Sequence, residues 1–458
     1  MSTKKKIFPK FFCFFLFFSL GIGLFCLLLS CKSHIVREKL SFPPNPPKAV
    51  HLYLTADVEG SLEPCGCKSG QIGGLPRQAQ YLLKSRQSPY LVVDAGNSMS
   101  VTPTRYEFFK WYYILQIYEK IGYDALNLGQ NEVALSSSQI AQVTEKMPIP
   151  LISANVLEKD TSELLVRPYV IKEVDGVKIA IIGLVNPKAK TGEGIVLADP
   201  GTAFAKYLPE MLENSHLIFV LSALSIEQIA FLCKNFPQIG MILNTGETGT
   251  HLPENKESVV VSSLTAKSRY IQQIRFAFEP SGDLAWVNGG NVPLDESIQD
   301  HSGTVYLLNR YREELGKERF YLEQLGNSKE KYVGASRCSM CHAEIYRSWK
   351  QTAHSRSLDS LKKKNNHHDP HCLKCHVTGF GIKNGYEGEE KTPDFAFIGC
   401  EVCHGPSSLH TFHNNPDQLR PSTSHPNPKK ICLECHTWEH CGNFDFDTFW
   451  ARIAHPKK

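Results

Sequence analysis

Apolar positions fall into three regimes along the chain. From Phe11 to Leu29 they form an almost unbroken run of Phe, Leu, Ile, Gly and Cys. From Val50 onward they come as short β-rich runs, at Val50–Ala56, Tyr90–Asp94, Ala125–Leu128, Leu151–Ala154, Val177–Val185, Leu217–Leu221, Gly240–Leu243 and Val259–Ser262, each of which predicts a strand. Helical patterns lie between these runs. Arg105–Ile121 sets Phe108, Trp111, Tyr112, Leu115 and Tyr118 at three- and four-residue spacings, an aromatic stripe read as core packing. Asp175-Gly176 joins Tyr169–Val174 to Val177–Val185, and an Asp-Gly pair takes the positive φ angles of a tight hairpin turn. Strands alternating with helices predict an α/β domain over residues 49–297. A charged helical segment at 301–328 follows, within a linker spanning 298–330. Beyond residue 331 cysteine and histidine replace the apolar pattern.

Composition narrows the class. The chain has 458 residues, enough for two or three domains at about 100–200 residues each. Its 50 Lys+Arg against 46 Asp+Glu exclude a polyelectrolyte and give no basic stripe for nucleic acid. The 15 cysteines are unevenly spread: Cys13, Cys26 and Cys31 near the N-terminus, the pair Cys65 and Cys67, the lone Cys233, and nine past residue 337. A disulfide framework would spread over the chain, so this clustering predicts a C-terminal cofactor module. Lys4-Lys5-Lys6 ahead of the apolar run is the arrangement of a signal peptide over residues 1–30. An uncleaved anchor is the alternative, since about 20 apolar residues can span a bilayer. Leu28-Leu29-Ser30-Cys31 resembles a bacterial lipobox and makes Cys31 the expected lipidated terminus. Residues 31–48, with proline at 43, 44, 46 and 47, read as a stiff tether. Either reading sets the rest of the chain outside the cytoplasm at a membrane surface of a bacterial cell envelope, facing the periplasm or on the outer surface.

The blocks Asp57-Val58-Glu59-Gly60, Gly73-Gly74-Leu75-Pro76-Arg77, Asp94-Ala95-Gly96-Asn97, Asn127-Leu128-Gly129-Gln130-Asn131-Glu132 and Ser153-Ala154-Asn155 resemble, in order and spacing, the 5′-nucleotidase branch of calcineurin-like metallophosphoesterases. That resemblance implies a sandwich of two sheets with two metal ions between them and a metal-bound hydroxide as nucleophile. Its ligand pattern is nearly gone. Asp57 remains, but Glu59, Asn97, Gln130, Asn131, Ala223, Glu247 and Gly249 stand where ligands or the catalytic His belong. Neutral amides bind transition metals poorly, so the expectation is a kept fold without the hydrolase. Asp57, Glu59 and Glu247 are the residues left for a hard cation bound through oxygen. Cys65 and Cys67 follow the Asp57 strand and should sit near the mouth of that site. They read as a small disulfide or surface thiol pair, or as a redox or metal-binding dithiol favoured as thiolate by Lys68. Cys233, in an apolar helical stretch, reads as inert core.

Past residue 337 one pattern occurs four times: Cys338-Ser339-Met340-Cys341-His342, Cys372-Leu373-Lys374-Cys375-His376, Cys400-Glu401-Val402-Cys403-His404 and Cys432-Leu433-Glu434-Cys435-His436. Each is a c-type haem attachment motif. Two thiols three residues apart on one helical turn reach the two vinyl groups of a porphyrin, while the next His becomes the proximal ligand of the iron. The expected cofactors are therefore four covalently bound c-type haems, with His342, His376, His404 and His436 proximal. Thirteen of the 18 histidines lie past residue 331. So small a module has little peptide core, and the haems would supply packing.

The same module, residues 331–458, resembles the tetrahaem cytochrome c-554 family. The matching stretches are Trp349 to His354, His376 to Gly381, Gly399 to Pro406, and Phe444-Asp445-Phe446-Asp447 with His455 following. The resemblance implies distal ligands at His354, at His410 or His413, and at His455, with the second haem five-coordinate. His367, His368 and His371, shortly before the second motif, keep its ligation open, and His371 is the alternative distal residue. His425 and His440 read as solvated loop histidines and Cys441 as a spare thiol. The expected fold is an α/β calcineurin-like sandwich followed by a mainly α, haem-packed multihaem cytochrome c domain. The expected function is electron transfer between periplasmic or membrane redox partner proteins, with the membrane reached through a lipid anchor and no nucleic acid bound. Reduction of a small nitrogen or sulfur species at an open second haem is the enzymatic alternative, and a surviving phosphoester hydrolase the third reading.

Overall fold

The computed structural model describes residues 49–64, 71–246, 248–279, 284–323, 325–412, 427–437, 441 and 443–455. The export segment, the tether with Cys31, the thiols Cys65 and Cys67, and Glu247, His413, His425 and His440 lie outside the described residues. No helix among the described residues is long and apolar enough to cross a membrane.

Among the described residues there are fourteen strands: β1 Val50–Thr55, β2 Tyr90–Asp94, β3 Ala125–Asn127, β4 Leu151–Ile152, β5 Val156–Glu158, β6 Tyr169–Val174, β7 Val177–Val185, β8 Ile195–Leu197, β9 Leu217–Ala223, β10 Met241–Asn244, β11 His251–Lys256, β12 Val259–Ser263, β13 Tyr270–Phe278 and β14 Leu284–Pro293. They build two six-stranded sheets, in the orders β14-β13-β1-β2-β3-β4 and β11-β12-β10-β9-β7-β6, plus the small pair β5-β8. β1 to β4 run parallel, as do β7, β9, β10 and β12, and antiparallel strands complete the edges. The hairpin turn is as expected, with φ of 47° at Asp175 and 84° at Gly176.

Alternation along the strands explains the layers. Val50, Leu52 and Leu54 point into a core between the sheets with Ile179, Ile181, Phe219, Leu221, Met241 and Phe276. Tyr53, from the opposite face of β1, packs with the helices Leu75–Lys84 and Arg105–Ile121. On the far sheet Ala180, Ile182 and Leu184 turn outward to Phe204 and Met211 of the helix Pro200–Asn214 and to Leu232 and Cys233 of the helix Ile226–Asn235. Two-residue side-chain periodicity thus gives a helix–sheet–sheet–helix sandwich. Cys233 is buried there, and burial raises its thiol pKa.

The helix Ser302–Glu318 does not hang free between the halves. Its Leu307, Leu308, Tyr311 and Leu315 are buried in the same core as the Arg105–Ile121 helix. Beyond it short helices dominate, and Tyr321, Leu358, Leu361, Leu373, Val377, Tyr386 and Phe395 form a small core of their own.

Candidate functional site

At the ends of β1 and β2 the backbone turns left-handed at three non-glycine positions, Asp57 (φ 48°), Glu59 (φ 48°) and Asn97 (φ 58°), a costly conformation that clusters at functional sites. The side chains there form a closed hydrogen-bond mesh. Asn97 Nδ2 donates to Asp57 Oδ1 at 2.8 Å, and the Gly246 amide donates to Asp57 Oδ2 at 3.1 Å. The Asn131 amide donates to Asn97 Oδ1 at 3.2 Å, while its Nδ2 donates to the Met99 carbonyl at 2.8 Å. Buried Glu132 accepts from the amides of Asn97, Met99 and Gly129 and from Ser98 Oγ, at 2.7–3.0 Å. Glu59 faces Lys267 at 3.6 Å. Ala223 is buried at the end of β9, and Gly249 holds a left-handed turn. No group of three or more His, Cys, Asp or Glu suited to a metal occurs among the described residues. Two carboxylates, Asp57 and Glu132, with all four oxygens already engaged and primary amides beside them, do not fit two transition-metal ions. Behind the mesh Asp94 is fully buried, bonded by Thr55 Oγ1, the Gly96 amide and Tyr118 OH, and burial pushes its carboxyl up to about 7.

The four Cys-x-x-Cys-His segments each make a helical turn. His342 N bonds the Cys338 carbonyl at 2.9 Å, His376 N the Leu373 carbonyl at 2.9 Å, and His436 N the Cys432 carbonyl at 2.8 Å, while the third motif is the helix Cys400–His404. Neither the eight motif cysteines nor Cys441 are in disulfides. Thiols of different motifs are neighbours: Cys338 of Cys400, Cys375 of Cys435, and Cys403 of Cys432.

Three histidine pairs follow. His342 lies with its ring centre 6.1 Å from that of His410, the planes 17° apart. His436 lies 6.2 Å from His354, and His404 lies 5.9 Å from His455. Two axial imidazoles on one iron, each with a metal–nitrogen bond of about 2 Å and a ring radius of about 1 Å, have centres about 6 Å apart. Burial, then the neighbouring histidine charge, lowers the pKa of His354 and His404, and burial lowers that of His436, which favours the neutral imidazole a metal needs. His404 Nδ1 is buried without a hydrogen-bond partner. Paired cysteines and histidines gathered at this spacing fit covalently held haem.

The second motif is set differently. His376 Nδ1 meets the Ser357 carbonyl at 2.8 Å and Ser360 Oγ at 3.3 Å, contacts that orient the ring and free Nε2. His371 has Lys110, Lys374, Asp369 and Glu107 as charged neighbours, so it faces the α/β domain. His354 is held by its backbone: its carbonyl accepts from Ile398 N at 3.1 Å, and the Ile398 carbonyl accepts from Trp349 Nε1 at 3.0 Å.

Glu401, between the thiols of the third motif, is a residue sequence reasoning passed over. It is buried and accepts from the amides of Val333, Gly334 and Ser407 at 2.9–3.1 Å, tying the entry to the first motif to the third. Its charge inside an attachment motif was the available signal.

Residues 337–405 match the family model for cytochrome c554 and c-prime. That family implies covalently bound c-type haem. The chain is 39% identical over 90 residues to cytochrome c-554 of Nitrosomonas europaea, covering 16% of this chain and 38% of that one. It is 37% identical over 223 residues to a 5′-nucleotidase of Vibrio cholerae, covering 43% of this chain and 34% of the relative. The 5′-nucleotidase precursor of Thermus thermophilus superposes with a TM-score of 0.52 at 20% identity over 63% of each chain, a likeness of fold. The chain thus spans between a third and two fifths of the curated relatives named here. It joins a calcineurin-like, 5′-nucleotidase-like α/β domain to a cytochrome c554-like region.

Proposed function

We propose that the chain is a multihaem c-type cytochrome of the cell envelope that carries four haems and transfers electrons between redox proteins, with an α/β domain that no longer hydrolyses phosphoesters. The observation that carries this reading is the trio of histidine pairs at 5.9–6.2 Å, each joining a motif histidine to one from elsewhere in the chain. They support His410 as distal ligand for the first haem, His455 for the third and His354 for the fourth. Each haem, when bound, supplies an iron that exchanges one electron. The two cysteines and the histidine of each motif would hold its ring through two thioethers and an imidazole. The thiol contacts Cys338–Cys400, Cys403–Cys432 and Cys375–Cys435 support the spatial order first, third, fourth, second. Metal-free readings of the α/β domain rest on the engaged Asp57 and on Asn97, Gln130 and Asn131 in ligand positions. Export behind residues 1–30 and lipidation at Cys31 complete the proposal.

The test is a redox titration of the full chain matured with haem, followed by mixing with a reduced soluble cytochrome c. Four reducible haems that equilibrate with that donor within the mixing experiment support electron transfer. A second reading, reduction of a small nitrogen or sulfur species at the second haem, is favoured by the charged groups Glu63, Glu107 and Lys110 around Cys372 and His371. Steady consumption of nitrite, hydroxylamine or sulfite by the reduced protein would support that reading instead.

A further inference from the structure

The segment that opens the second haem motif touches the α/β domain and the helix Ser302–Glu318 packed on it, and one carboxylate makes several of those contacts. Asp369 Oδ1 accepts from Tyr106 OH at 2.7 Å, and Oδ2 accepts from Tyr311 OH at 3.4 Å, the two hydroxyls lying 3.4 Å apart. The same carboxylate accepts from His371 N at 2.8 Å, and the Asp369 carbonyl accepts from the amides of Cys372 and Leu373 at 3.0 and 2.9 Å. Asp369 therefore starts the turn that carries Cys372, and two phenols fix where it starts.

Those phenols are rigidly placed. Tyr106 and Tyr311 are only 8% and 3% exposed. Tyr311 stacks on Phe109 at 5.8 Å and meets Tyr113 edge-on at 5.3 Å, and Tyr106 packs on Phe320 at 5.8 Å. Burial and the nearby Asp369 charge raise both phenol pKa values well above their ordinary value, so both remain donors at any working pH. A second tie runs alongside: Asn366 Nδ2 donates to Glu63 Oε2 at 2.8 Å, Arg312 Nε donates to Asn366 Oδ1 at 2.8 Å, and Arg312 pairs with Glu63.

We propose that Tyr106 and Tyr311 are positioning residues for the second haem, acting through Asp369, and that the α/β domain is retained as the holder of that haem. The inference rests on the haem reading of the second motif. Asp369 is half-buried and stands three residues before Cys372; a carboxylate close to a haem favours its oxidised, more positive form, and two hydroxyl donors offset part of that charge. Removing the donors lowers the potential of the second haem and leaves the other three where they were.

The experiment uses the full chain with its haems. The second haem's component is identified by its absence in Cys372→Ala/Cys375→Ala. Tyr106→Phe/Tyr311→Phe keeps both rings and removes both hydroxyls, and Tyr81→Phe, at a tyrosine that bonds Gln273 within the α/β domain, serves as control. The expected result is a downward shift of the second haem's midpoint in the double variant, a smaller shift in each single variant, and no shift in Tyr81→Phe. Should the double variant lose haem, peptide mass mapping that finds the loss confined to Cys372 and Cys375 supports the proposal. An unchanged second-haem midpoint, or equal shifts in all four haems, overturns it. Peptide mapping of the unaltered chain separates the two claims: no haem at Cys372 and Cys375 would defeat the haem reading itself.

Discussion

Replacing Glu401 by alanine orphans three backbone amides at once. The side chain accepts from Val333 at 3.0 and 3.1 Å, from Gly334 at 2.9 Å and from Ser407 at 2.9 Å, and it is 3% exposed. A buried donor left unsatisfied costs about 1–3 kcal/mol. Gly334 is buried and bears that cost in full, whereas Val333 and Ser407 are half-buried, and water can reach them after the truncation. The expected loss is therefore about 3 kcal/mol rather than the simple threefold sum. Glu401→Gln keeps one acceptor oxygen and should lose about half as much. Urea unfolding followed by haem absorbance gives the difference, with Glu390→Ala, at an exposed position, expected within about 0.5 kcal/mol of the unaltered protein. A loss below about 1 kcal/mol for Glu401→Ala would refute the view that this carboxylate ties the first motif to the third.

Asp94 makes stability depend on pH in a defined direction. Its folded pKa of about 7 lies above the ordinary carboxylate value, so the folded state keeps a proton that the unfolded chain releases. Stability should fall as pH rises from about 4 to about 7, by on the order of 4 kcal/mol at most, and Asp94→Asn should flatten that slope in urea titrations. His354→Ala, His410→Ala and His455→Ala should each convert one haem to high spin by electron paramagnetic resonance, in the fourth, first and third motif respectively. A spectrum unaltered by all three would remove the distal assignments. Manganese, zinc or calcium should not elicit nucleotide ester hydrolysis; metal-dependent turnover lost on Asp57→Ala would reverse the reading of the α/β domain.

Regular alternation made most of the sandwich legible. The strands at Tyr90–Asp94 and Val177–Val185 and the helix Arg105–Ile121 begin and end where the apolar pattern does. β13 and β14 were missed. Gln272, Gln273 and Arg275 interrupt the first, and Asn288-Gly289-Gly290-Asn291 in the second has the composition of a loop, yet their pairing extends the sheet beside β1. The haem motifs were legible because thiol and imidazole spacing is local chemistry. Their partners were not, because His342 meets His410 and His404 meets His455 only through the fold, and a resemblance had to supply those positions. The contact of Tyr106 with Asp369 joins residues 263 positions apart, and neither side chain carries a local sign of the other.

The most direct test is the intact mass of the full chain produced with a c-type haem maturation system, followed by peptide mapping. Four covalent haems, one on each of Cys338/Cys341, Cys372/Cys375, Cys400/Cys403 and Cys432/Cys435, are expected. Two or fewer, or cysteine pairs recovered as disulfides, would contradict the account.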